Sequence, residues 1–326
     1  MNSADPFALR ELLGDEAALC RRALTGEHGV ALPPFIDHHV HLHLIDEHAL
    51  PPGGIAGVLD LGGDPVGLAR RSPAAMPRVS YAGAFLTAPG GYPSGRSWAP
   101  DATVRVIADA SAHPGVAGGA GTAVDEQASF GASVIKVALN AVAGPVFDGA
   151  TLHAIVRAAH RHGLPVVAHV EGEGMPRLAL DAGVDALAHA PFTELLDADL
   201  VADAAAAGQR WIATLDIHRG DAQTAEFARA NVAAFIDAGG TVLYGTDLGN
   251  GDRGVGILVG ELQALDDAGV RGTDLIQALT DPWPGHAPAG VATFVAGPPP
   301  ISLDDVAEWL GRATVVPTEE LLHDEH

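Results

Sequence analysis

Along the middle of the chain, short apolar runs rich in Val, Ile and Leu alternate with alanine-rich segments. The runs at 35–41, 55–61, 79–86, 133–139, 165–170, 184–189, 210–215 and 241–245 predict strands, because β-branched residues between turn residues suit a buried pleated surface. The segments 102–112, 123–131, 149–162, 175–182, 198–208, 223–238 and 257–269 predict helices. Several of them close on glycine, as in His162-Gly163, Ala182-Gly183 and Ala238-Gly239, the usual way to end a helix. Strand and helix in alternation mean parallel β/α units. Eight such strands predict an α/β fold, a (β/α)8 TIM barrel with a packed interior and an active site at the C-terminal ends of the strands. The alternative is an open doubly wound sheet, but no Gly-x-Gly-x-x-Gly follows the first strand, which weakens a dinucleotide site.

The flanks read differently. Residues 1–33 predict a short helical extension, one amphipathic helix at 7–24 and then a Gly/Pro lead-in. Beyond Trp283, prolines interrupt the pattern. Two short accessory strands at 291–296 and 313–316 are expected around a helix at 303–310. The expected division is therefore an N-terminal extension (1–33), a barrel (34–283) and a small C-terminal accessory segment (284–326).

Composition narrows the function. A chain of 326 residues with 48% hydrophobic content can bury one large core. A net charge of −23 repels nucleic acid and anionic membranes, so neither is an expected partner, and a small-molecule substrate is. A homo-oligomer stays open. One cysteine, Cys20, rules out an intrachain disulfide and a thiolate metal cluster. Residues 1–16 are polar and acidic without an apolar stretch, so no signal peptide and a cytoplasmic location are expected.

The chemistry lies where the strands end. Lys136 is the single lysine, against 17 arginines, and it sits in the apolar run Val134-Ile135-Lys136-Val137. An unpaired ammonium there would be costly. A neutral amine, by contrast, can take up carbon dioxide and become a carbamate, a carboxylate on a long stem able to bridge two metal ions. The first strand reads Asp37-His38-His39-Val40-His41-Leu42-His43, and period-two geometry puts Asp37, His39, His41 and His43 on one face. His169 closes the fifth strand, His189 the sixth and Asp247 the eighth. Alone, His169 or His189 reads as a satisfied core histidine. Five strands that each present a ligand-type residue at the same level read as a metal centre. Imidazole with carboxylate suits Zn²⁺, Mn²⁺ or Fe²⁺. Two such ions about 3.5–4 Å apart can share a bridging hydroxide, and an aspartate beside it, Asp247, can move its proton.

These residues resemble the amidohydrolase superfamily in its binuclear, carboxylated-lysine form. The segment Pro33-Pro34-Phe35-Ile36-Asp37-His38-His39-Val40-His41 is similar to the first-strand signature Pro-Gly-Phe-Ile-Asp-x-His-x-His, and Gly131 to Val137 is similar to the fourth-strand lysine motif. The segments ending in His169, His189 and Gly245-Thr246-Asp247 resemble the imidazolonepropionase-like and Xaa-Pro dipeptidase-like branch. The resemblance spans roughly residues 33–280. It implies that His39, His41 and Asp247 hold one divalent metal and that His169 and His189 hold the other. Lys136, as N6-carboxylysine formed with CO2, would bridge the two, and Asp247 would shuttle the proton. Pro34 departs from the family's Gly, Asp281-Pro282-Trp283-Pro284 replaces a helical ending, and the N-terminal extension is too short and helical for the usual β-sandwich half.

Around the expected mouth, Tyr92 and Arg96 in the glycine-rich loop 87–96, and His218 after the seventh strand, are candidate substrate contacts; Asn250 and Arg253 follow the eighth. His43 is expected behind the ligands. The function implied is hydrolysis of a C–N bond in an amide, cyclic amide or dipeptide. The same centre would also suit a lactonase or a phosphotriesterase, and a barrel that binds metal without turnover is the non-enzymatic alternative. A mononuclear deaminase would have no need of Lys136.

Overall fold

The computed structural model describes residues 5–323. The first four residues of the polar stretch 1–16 and the last three of the segment 284–326 lie outside them. Helix α1 (Pro6–Leu13) is followed by strands β1 (Ala18–Arg22) and β2 (His28–Leu32). Then come β3 (Phe35–Val40), β4 (Ile55–Asp60), α2 (Pro65–Ala69), β5 (Arg78–Tyr81), β6 (Phe85–Thr87) and β7 (Val104–Val106). Next are α3 (Ala120–Ser129), β8 (Ile135–Asn140), α4 (Gly149–Arg161), β9 (Val166–Glu171), α5 (Met175–Asp181), β10 (Ala186–Leu187), α6 (Ala198–Ala206) and β11 (Arg210–Ile212). The order continues with α7 (Ala222–Asp237), β12 (Thr241–Leu243), α8 (Val259–Asp267), α9 (Thr273–Thr280), β13 (Val291–Ala296), α10 (Val306–Leu310), β14 (Ala313–Pro317) and β15 (Leu321–His323).

The fold is mixed α/β with parallel strands, as expected. The parallel strands form two ladders, seven strands in the order β12-β11-β10-β9-β8-β6-β7 and three in the order β3-β4-β5, where the sequence predicts one ring of eight. Backbone bonds join the ladders at both sides. His38 N donates to Tyr244 O at 3.0 Å and His41 N to Leu248 O at 2.8 Å, while Ser133 N donates to Tyr81 O at 2.8 Å. Both ladders also share one interior. Leu59 of β4 packs in the same buried cluster as Val167 of β9, Ala186 of β10, Ile212 of β11 and Leu243 of β12.

Local chemistry explains the elements that position the site. β8 and β9 pair in parallel with Lys136 opposite Val167, Ala138 opposite His169 and Asn140 opposite Glu171. All of β8 is buried, so its β-branched residues fill the space between the interior and the helices. Asp148 caps α4 by accepting from Thr151 N at 2.7 Å, and Leu152, Ile155, Val156 and Ala159 form its buried face.

Three expectations need correction. The helix expected at 7–24 stops at Leu13, where Gly14 takes φ +94°, and residues 18–22 become β1. That strand is paired on both edges, with β2 and with β15, and this pairing outweighs local helix propensity. The extension is thus only partly helical. With β13 and β14 the strands from both flanks complete a five-stranded sheet, β14-β13-β2-β1-β15. The helix expected at 102–112 is instead β7 and irregular chain. Val104 and Val106 pair with Phe85 and Thr87, and the Arg105 guanidinium grips Glu126 of α3 with two bonds of 2.8 and 2.9 Å. The strand expected at 79–86 is split at Gly83, which has φ +75°. There Gln127 Oε1 accepts from Ala84 N at 2.9 Å and occupies the space that a side chain at 83 would need.

Candidate metal centre

His39, His41 and Asp247 each offer one ligand atom within 4.8 Å of the others, and all three are buried. His39 is on β3, His41 follows it, and Asp247 lies just beyond β12. Asp247 Oδ1 is 3.2 Å from His39 Nε2 and 3.3 Å from His41 Nε2. The opposite ring nitrogens fix which lone pairs face inward. His39 Nδ1 lies 2.7 Å from Ala188 O and His41 Nδ1 lies 3.3 Å from Gly62 O. A carbonyl only accepts, so each Nδ1 carries the hydrogen and each Nε2 turns its lone pair to the aspartate. Two lone pairs and a carboxylate oxygen then meet without a proton between them. That set fits a divalent cation.

Asp247 is aimed there by backbone geometry. Its φ of +53° is uncommon outside glycine and better tolerated by Asp than by most residues. Asn250 Nδ2 donates to its Oδ2 at 2.7 Å. Asp37, although it begins the histidine motif, points to the support of this geometry. Its carboxylate accepts from His39 N at 3.0 Å and Thr246 N at 3.1 Å, and from the Thr246 hydroxyl. Burial pushes the Asp37 carboxyl up to about 7.

The remaining expected ligands line the same cavity of about 230 Å³. The His189 ring is 4.7 Å from that of His39 and 4.9 Å from that of His169. His189 Nδ1 is 2.8 Å from Thr214 Oγ1. His169 Nε2 is 3.2 Å from Glu171 Oε2, and Asn140 Nδ2 donates to the same carboxylate at 2.6 Å. Burial lowers the pKa of His39, His169 and His189, so all three favour the neutral, ligating form. For Asp247, burial acts upward, but the closeness of His41 and His189 and the bond from Asn250 hold its carboxyl below the ordinary carboxylate range. Lys136 is 1% exposed and makes no ion pair among the described residues. Burial lowers its amine to about 7.

His43 is not where the pleat predicts. β3 ends at Val40, the chain turns through a short 3₁₀ segment Leu42–Leu44, and His43 is exposed with Nε2 3.2 Å from Trp98 O. Tyr92 stacks on His169 with ring centroids 5.2 Å apart. It lines both this cavity and an adjoining one of about 490 Å³, which His218 also lines. Arg96 is brought to neither cavity. It is exposed, with its guanidinium 5.9 Å from the centre of the Tyr92 ring. Sequence reasoning missed Glu171 and Asn140, whose positions two after His169 and four after Lys136 put them on the ligand faces of β9 and β8. It also missed Trp98 and Thr214, for which no signal exists in the local sequence. Among the described residues, no helix is long and apolar enough to cross a membrane.

Fold and site together define a mixed α/β protein with a candidate metal-binding His-His-Asp group at its strand ends. No protein-family model and no curated protein matches the chain. Solved structures do. A Xaa-Pro dipeptidase with methionine bound in its active site superposes with a TM-score of 0.69 at 17% identity, covering 90% of this chain and 87% of that one. An amidohydrolase gives 0.66 at 21% identity over the same shares. A molinate hydrolase gives 0.63 at 16% identity, covering 90% and 83%. At these identities the likeness establishes the shared fold.

Proposed function

We propose that this chain is a metal-dependent hydrolase that cleaves a C–N bond in a small molecule, and that its two parallel ladders close into one (β/α)8 barrel. The observation that carries the reading is the meeting of His39 Nε2, His41 Nε2 and Asp247 Oδ1 in a cavity that Lys136, His169 and His189 also line. In this reading His39, His41 and Asp247 hold one divalent ion, His169 and His189 hold a second, and carboxylated Lys136 joins them. Zinc is the first choice for imidazole and carboxylate donors, with Mn²⁺ or Fe²⁺ also suited.

Lys136 supports this reading by its surroundings. Burial holds this amine toward its neutral form, outweighing the opposing pull of the Asp247 and Asp60 carboxylates. The neutral nitrogen attacks CO2, an N–C bond forms, a proton leaves, and the side chain becomes the anion that the cluster lacks. When bound, the cations would polarise the scissile carbonyl and lower the pKa of water to near neutrality. Asp247, anionic across the neutral range, would accept a proton from the attacking water and return it to the departing nitrogen. Tyr92, stacked on His169, would form an apolar wall for the substrate. The Xaa-Pro dipeptidase and molinate hydrolase neighbours support a C–N bond as the target.

The test is a hydrolysis screen of the zinc and manganese forms against N-acyl amino acids, dipeptides, cyclic amides, lactones and phosphotriesters, alongside metal analysis. Two metals per chain and turnover of a C–N substrate are expected. Turnover confined to lactones or phosphotriesters would reject the C–N assignment, and one metal per chain unaffected by Lys136→Ala would reject the carbamate.

A further inference from the structure

The cavity beside the cluster contains a cation whose hydrogen-bonding capacity is only half used. The Arg253 side chain is 7% exposed. Its Nη2 donates to Asn250 O at 2.6 Å and to Asp247 O at 3.3 Å. Its Nη1 is buried without a hydrogen-bond partner, and so is His218 Nε2. Both residues line the same cavity. Two of the three acidic groups lining it, Glu171 and Asp216, are already engaged, and the third, Asp252, is exposed. Glu171 is bound by His169 and Asn140. Asp216 Oδ2 accepts from Arg219 at 2.6 Å and stands 3.9 Å from Arg253 Nη1. Buried donors left unpaired are rare and point to a partner absent from the protein itself.

We propose that this second cavity is an anion subsite in which Arg253, with His218, receives a carboxylate of the substrate. The class follows from the geometry: a guanidinium offers parallel N–H groups that match two coplanar oxygens. Phe192, with its ring 4.3 Å from that of His218, and Tyr92 supply apolar walls. The subsite adjoins the chemistry, since Tyr92, His169, His189 and Asn250 line both cavities. Arg253 also bonds the carbonyl of Asp247 itself. The word substrate rests on the hydrolase reading; the anion site does not.

The experiment compares phenylacetate with phenethyl alcohol, two probes of similar size without a scissile bond. Binding is measured by calorimetry on zinc-loaded and metal-stripped protein, for wild type, Arg253→Gln and Arg253→Lys. The wild type is expected to prefer phenylacetate by about 10- to 100-fold in both metal states, the usual range for a charge-assisted contact. Arg253→Gln should abolish the preference and Arg253→Lys should retain part of it. Thermal melts report whether the loop survives each change; should Arg253→Gln unfold, the lysine variant carries the test. Equal binding of the two probes, or no binding of either, overturns the subsite. So does a preference that persists in Arg253→Gln or exists only with zinc, because the carboxylate then sits on the metal. Turnover is scored separately. An Arg253-dependent preference without hydrolysis keeps the anion site and ends the hydrolase reading, and hydrolysis without the preference does the reverse.

Discussion

The two adjoining cavities are built from different material. The smaller one is walled by side chains at strand ends, and His39, His41, Lys136, His169, His189 and Asp247 are all buried. Lys136 and His169 are locked into parallel pairing, His39 lies on β3, His41 and His189 lie just past the ends of β3 and β10, and Asp247 lies between Asp37-braced Thr246 and the Leu248–Val40 bridge. The larger cavity is lined by residues of loops, among them 216–220 and 250–253. The contrast teaches a division of labour. Groups that must meet within an ångström are placed on ladders that cannot slide without breaking many bonds. Groups that choose a ligand are placed where sequence can change without disturbing the interior.

The largest test of the first half is Asp247→Asn. It keeps the shape but removes the anion, and hydrolysis should fall about 10³-fold or more while the fold persists, as read by steady-state kinetics and circular dichroism. Lys136→Ala comes next. Loss of both metals is expected, with partial recovery of activity on adding a short carboxylic acid, followed by metal analysis and kinetics. Glu171→Gln weakens the brace on His169 and should lower metal affinity about 10- to 100-fold, measured by competition with a chelator.

A smaller effect probes the loop side. Glu261 of α8 is fully buried, accepts from Asp216 N at 2.7 Å, and so anchors the turn that carries Asp216 and His218. Burial raises its carboxyl from 4.5 to about 8. A raised acid favours the folded state in its protonated form, so that contribution is whole below pH 4.5 and is lost as pH rises toward 8. Glu261→Gln removes the dependence. Its melting temperature relative to wild type should climb between pH 4.5 and 8, by about 2 °C or more at the upper end. A difference that stays flat across that window would refute the account. Smallest of all is Arg96→Ala. That side chain is exposed and outside both cavities, so its loss should change KM less than about twofold, and exposed cation–π contacts contribute only about 0.5–1 kcal/mol to stability.

The strand-borne half was largely legible in the sequence, because an apolar run that stops on a histidine or aspartate is a local signal, and five such runs need no knowledge of pairing. What stayed hidden depends on partners far along the chain. β1 reads as helix until β2 and β15 flank it. Val104 to Val106 read as helix until β6 lies alongside. The break at Gly83 needs Gln127, more than forty residues away. His43 shows the limit of periodicity: the alternation persists in the letters after the pleat has ended at Val40. Arg253 was visible as a charged loop residue, but its unpaired nitrogen exists only once the loop has closed over Asn250.

The solitary lysine on β8 has an experimental consequence. In a chain with one ε-amine, isotope-enriched bicarbonate can label a single side-chain position, so one carbon resonance would report on position 136 without assignment of any other residue. The same signal, followed as metal is added or withdrawn, would show whether the modification precedes the cations or is trapped by them.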